Sequence, residues 1–108
     1  MRRALSFLLF ILALLSAACA GLSGGRDFPS PSAEMIRVGQ TAKADLLRQF
    51  GEPTEVGLDT GDQTWTWLYY RVTPQEARKQ LTVRFDDRGI VRSYSFTSNV
   101  PEDMKRLK

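Results

Sequence analysis

The strongest constraint on the fold is the alternation in Gln63 to Arg71, Gln-Thr-Trp-Thr-Trp-Leu-Tyr-Tyr-Arg. Successive side chains on a strand point to opposite faces, so Trp65, Trp67 and Tyr69 share one face and Thr64, Thr66, Leu68 and Tyr70 the other. Large aromatic groups repeated on a single face need cover. Lys79 to Phe85 repeats the pattern, with Leu81, Val83 and Phe85 on one face and Thr82 and Arg84 opposite. Asp86-Asp87-Arg88-Gly89 is a tight connection, and Ile90 to Thr97 supplies a third strand. Its inward face is ambiguous, because Ile90, Tyr94 and Phe96 alternate with Val91, Ser93 and Ser95 while Arg92 interrupts the first set. Val72 to Arg78 is polar, contains Pro74 and reads as a longer hairpin loop.

Residues 42–50 carry a helical period. Ala42, Leu46, Leu47 and Phe50 form one apolar stripe, Thr41 is placed to cap the first turn, and Gly51 and Pro53 end the helix. A helix this short is not stable alone, so its stripe must lie on the sheet. The expected architecture is therefore α+β, a small two-layer domain of helix or helices packed on a three-stranded antiparallel β-sheet, spanning residues 34–98. Residues 99–108 form a charged tail expected to fray.

The N-terminus reads as an address. Arg2 and Arg3 precede an apolar run from Ala4 to Ala18, shorter than the roughly 20 residues of a permanent membrane span. Residues 1–18 thus read as a secretory signal peptide, with a lone transmembrane anchor as the alternative. The only cysteine, Cys19, follows Leu15-Ser16-Ala17-Ala18. That order resembles a bacterial lipobox, in which the cysteine becomes a lipidated N-terminus, although Ser16 stands where the motif has Leu. Ordinary cleavage after Ala18 or Ala20 competes with lipidation. A single cysteine in an exported chain has no internal partner, which favours the lipidated reading. Ala20 is not the Asp of the common inner-membrane retention signal, which points to the outer membrane. The Gly, Ser and Pro content of residues 19–33 reads as a flexible linker of root-mean-square span roughly 20 Å.

Charge and composition exclude several functions. The 108 residues hold 15 Lys plus Arg against 12 Asp plus Glu, and Arg2 and Arg3 lie in the leader, leaving 13 basic against 12 acidic residues. So nearly neutral a chain offers no phosphate-tracking surface, and nucleic acid is not an expected partner. With no His and one Cys, neither a His-dependent triad nor a polyhistidine metal site is available. Asp59/Asp62 and Asp86/Asp87 flank glycines and lack calcium-loop spacing, so they read as solvated turns. No cofactor, small-molecule substrate or enzymatic activity is expected. Trp65, Trp67 and Tyr69 are read as core, with a ligand-stacking platform as the alternative. Leu68, Tyr70 and Arg84 project from the opposite face and form a candidate partner surface, unless the 72–78 loop or the tail covers them.

These pieces together resemble the SmpA/OmlA (BamE-like) outer-membrane lipoprotein family. The resemblance is carried by Ile36-Arg37-Val38-Gly39-Gln40-Thr41, by Leu47, Phe50-Gly51-Glu52-Pro53-Thr54, by Trp65-Thr66-Trp67-Leu68-Tyr69, and by Leu81-Thr82-Val83-Arg84-Phe85 with Gly89-Ile90-Val91. Gln40 departs from the hydrophobic residue usual there. The resemblance implies helices on a three-stranded antiparallel sheet and a periplasm-facing protein anchored by lipid in the outer membrane. It also implies a non-catalytic scaffold whose partners are outer-membrane assembly proteins. A soluble periplasmic binding or inhibitor module of similar fold is the second reading.

Overall fold

The computed structural model describes residues 23–107. The expected signal peptide and Cys19 lie outside the described residues. Element order is β1 (Ser23–Gly25), α1 (Lys43–Phe50), β2 (Glu55–Asp59), β3 (Asp62–Arg71), β4 (Ala77–Phe85), β5 (Val91–Ser98) and α2 (Pro101–Lys105). All strand pairings are antiparallel. β3, β4 and β5 form the expected meander. The sheet has five strands rather than three, because β1 and β2 share the free edge of β3. β2 pairs with the first half of β3, Glu55 opposite Thr66 and Asp59 opposite Asp62, and β1 pairs with its end, Ser23 opposite Arg71 and Gly25 opposite Tyr69.

The core lies on one face. Trp67, Leu81, Val83, Phe85, Val91 and Phe96 are buried from the sheet side, with Trp65 and Tyr69 partly buried beside them. Leu46 and Phe50 of α1 cover them, one helical turn apart. Leu47 is half exposed, so the helical stripe is narrower than its period suggests. Phe50 meets Trp67 with ring centroids 5.7 Å apart, and Trp65 meets Phe85 edge-on at 5.0 Å. The Trp67 indole N–H donates to the Gly51 carbonyl at 3.0 Å, which couples the helix stop to the strand beneath it. The cap of α1 differs from expectation. Thr41 Oγ1 accepts the Arg37 N–H at 2.8 Å and so closes the preceding turn, while Asp45 Oδ2 accepts the Ala42 N–H at 3.0 Å.

The ambiguous face of β5 is resolved by a bulge. Arg84 pairs with Ser93 but Phe85 pairs with Val91, so Arg92 is passed over. That shift brings Val91 into the core in the place strict alternation from Phe96 and Tyr94 gives to Arg92.

Residues 23–33 are not a free tether. Ser23–Gly25 adds a strand, and Phe28, Ser30 and Pro31 are buried, with the Phe28 ring edge-on to Phe50 and Phe96. The single aromatic residue of that segment reaches the core, and local Gly, Ser and Pro composition conceals it. Nor is the segment after β5 unattached. The Asn99 N–H donates to the Arg78 carbonyl at 3.1 Å, and the Asn99 side-chain oxygen accepts the Arg78 N–H at 2.7 Å. Met104 and Leu107 pack on the core. Among the described residues no helix is long and apolar enough to cross a membrane.

Candidate interaction face

The face of the sheet turned away from α1 is built in cross-strand rows. Tyr70 stands opposite Arg78. Leu68 stands opposite Gln80, which faces Thr97. Thr66 stands opposite Thr82, which faces Ser95, and Thr64 stands opposite Arg84, which faces Ser93. The middle rows are hydroxyl-rich, and Thr66 and Thr82 share a hydrogen bond of 3.3 Å. Neither the β3–β4 loop nor the C-terminal segment covers the first two rows. Tyr70 remains 44% exposed. Leu68 and Tyr70 line an open hollow of about 440 Å³ together with Arg78, Gln80, Thr97 and Asn99. An aromatic group, an aliphatic group and a guanidinium surrounded by hydroxyls and amides suit a protein contact, where Tyr and Arg are enriched.

Arg84 does not belong to this hollow. It lies four residues along the sheet from Gln80, about 13 Å at strand rise. Its Nε donates to Asp62 Oδ2 at 2.7 Å, its Nη2 reaches Thr60 Oγ1 at 3.4 Å, and Asp59 Oδ2 is 3.7 Å from its Nη1. Arg92 Nε is 3.0 Å from the same Asp62 oxygen. Asp62 is therefore a largely enclosed acceptor, its side chain 14% exposed, shared by two guanidinium groups. This corrects both the grouping of Arg84 with Leu68 and Tyr70 and the reading of Asp62 as a solvated turn residue. The group fastens the β2–β3 hairpin to β4 and β5. The cation that does join Tyr70 is Arg78. The signal for it lay in the β3–β4 register, since pairing Arg71 with Ala77 necessarily sets Tyr70 opposite Arg78.

Tyr70 also has a structural contact. It pairs across β1 with Gly24, and a Cβ on Gly24 would fall 1.9 Å from Tyr70 Cε1, so the ring lies over the bare glycine backbone. The second acidic cluster is a backbone clamp. Asp86 Oδ1 accepts the Arg88 N–H at 2.9 Å and the Ile90 N–H at 3.0 Å. The Ile90 bond above all, with the Arg88 N–H and guanidinium, holds the Asp86 carboxyl below the ordinary carboxylate range. Among the described residues no group of three or more His, Cys, Asp or Glu is placed to hold a metal ion.

Residues 28–95 match the family model described as BamE, outer membrane protein assembly factor BamE domain. The match takes in Phe28 and all of β2 to β4, in keeping with a domain that begins well before the first helix. No curated protein and no solved structure shows a significant match to the chain.

Proposed function

We propose that this chain, which belongs to the BamE family of outer membrane protein assembly factor domains, is a lipid-anchored scaffold on the periplasmic side of the outer membrane. In this reading it binds subunits of the β-barrel assembly machinery and steadies them without catalysis. The anchor is Cys19, and the contact surface is the hollow around Leu68 and Tyr70, with Arg78 in the place first given to Arg84. The observation that carries the reading is the family match over residues 28–95, a stretch that includes Leu68, Tyr70, Arg78 and Gln80 of that surface.

Two measurements on membrane-extracted protein test it. The intact mass is expected to equal residues 19–108 plus diacylglycerol and acyl chains, and Cys19→Ser is expected to abolish that modification. Barrel-assembly subunits are expected to co-purify with the wild-type chain and to be lost with Tyr70→Ala. An unmodified chain beginning at Cys19 or Gly21, recovered with one soluble enzyme, would overturn the reading in favour of a periplasmic binding or inhibitor module.

A further inference from the structure

The Gly-Gly pair of β1 is there for close approach. Gly25 has φ +74°, and a Cβ on it would fall 2.0 Å from the Leu68 carbonyl oxygen. Gly24 lies under the Tyr70 ring. No side chain fits at either position without displacing strand or ring, so both glycines hold the chain tightly on β3. Immediately afterwards Lys79 takes hold. Its ammonium is 2.8 Å from Asp27 Oδ1, donates to the Phe28 carbonyl, and lies 4.7 Å from the Phe28 ring centroid. β1 runs antiparallel to β3 with Ser23 opposite Arg71, so the chain enters the domain from the end of the sheet that carries the β3–β4 loop.

We propose that this end of the sheet, marked by Arg71, Val72 and Arg78, is the face the domain turns toward the surface of the bilayer. The proposal rests on the reading that Cys19 carries the lipid. Only four residue steps separate Cys19 from Ser23, a reach of at most about 15 Å. A freely jointed linker of residues 20–33 would leave every face of the domain available to the membrane. A leash ending at a docked Ser23 does not. Strand β3 is about 30 Å long at strand rise, so the Thr60–Gly61 apex of the β2–β3 hairpin stands at the far end. The chemistry of the near end agrees with this orientation. Val72 is half exposed beside the β3–β4 loop, and the Arg78 side chain is largely exposed in a surface ion pair with Glu76 at 3.3 Å, a pair open enough to exchange for an anionic headgroup beside an apolar group. One consequence is that the Tyr70 hollow faces a partner seated in or on the same membrane.

The test uses the full lipidated chain in vesicles of phosphatidylethanolamine and phosphatidylglycerol doped with nitroxide-headgroup lipid. Cys19 is the only cysteine, and an S-alkylated Cys19 takes no maleimide, so Val72→Cys and Thr60→Cys each offer one thiol to a fluorophore. The label at residue 72 is expected to be quenched and that at residue 60 to be spared. A Gly-Ser insertion of about 12 residues between Gly21 and Leu22 adds roughly 20 Å of slack and is expected to erase the contrast. Equal quenching at both sites, or a contrast that survives the insertion, overturns the orientation while leaving the anchor intact. Label taken up by the unsubstituted chain shows a free Cys19, which refutes the anchor and the orientation with it.

Discussion

Lys79 on β4 holds Asp27, 52 positions earlier in the chain, through an ion pair of 2.8 Å, with the lysine side chain only 13% exposed. The same ammonium lies over the Phe28 and Tyr69 rings and donates to the Phe28 carbonyl. A cation so placed closes the N-terminal segment onto the sheet edge. Lys79→Met keeps the apolar stem and removes the charge. It is expected to cost about 1–2 kcal/mol in urea unfolding, the scale of a partly desolvated cation–π contact. Trypsin is expected to cleave after Arg26 faster in the variant. Unchanged stability together with an unchanged rate at Arg26 would mean that β1 and Phe28 hold the segment without the lysine.

Trp67 is 2% exposed, packs against Phe50 and donates to the Gly51 carbonyl. Trp67→Ala is expected to destabilise by about 3–5 kcal/mol, as large-to-small core changes do. Tyr70→Ala is expected to cost much less, because Tyr70 is 44% exposed and its ring lies over the bare Gly24 backbone. Chemical denaturation of the two variants in parallel checks the face assignment. A neutral Trp67→Ala would reverse it.

The β2–β3 hairpin turns on Thr60 and Gly61, with φ of 50° and 88°. Positive φ at both central residues is the demand of the tight hairpin turn that Asn-Gly meets best, and a β-branched residue meets it at a cost. Thr60→Asn is expected to stabilise the domain by up to about 1 kcal/mol. A loss of stability on denaturation would show that the Thr60 hydroxyl, bonded to Asp59 and within reach of Arg84, outweighs the backbone preference.

Asp86 ionises more readily in the folded chain because the Ile90 and Arg88 N–H groups point at its carboxylate. A depressed folded value means that its contribution is fully present above its unfolded value, about 3.9, and is lost as pH falls through the folded value. The stability gap between wild type and Asp86→Asn is therefore expected to be constant near neutrality and to narrow below about pH 5. A gap that widens on acidification would contradict the clamp.

The elements with a strong period were readable from residues alone. Trp65-Thr66-Trp67 and Leu81-Thr82-Val83 alternate over long strands buried on one face, and Leu46 with Phe50 before Gly51 and Pro53 marks a helix and its end. What escaped has physical causes. β2 holds only Val56 and Leu58 as apolar residues, both exposed, with Gly57 between them, so its alternation carries no burial signal. β1 is a Gly-Gly strand whose identity depends on the Leu68 carbonyl and the Tyr70 ring, partners more than 40 residues away. The bulge at Arg92 exists only in the pairing with β4. At the candidate interaction face, Leu68 and Tyr70 follow from alternation. The exchange of Arg84 for Arg78 follows from the hairpin register and the salt bridges to Asp62, neither of which is local in sequence.

The most direct test of the scaffold reading is site-specific photocrosslinking in intact outer membranes. A photoreactive phenylalanine replaces Tyr70 in the hollow or, as the control, Leu58, which is 79% exposed on the opposite face of the sheet. The account predicts a crosslink from position 70 to a subunit of the β-barrel assembly machinery and none from position 58. Crosslinks to that subunit from both positions, or from position 70 to a soluble enzyme alone, would contradict it.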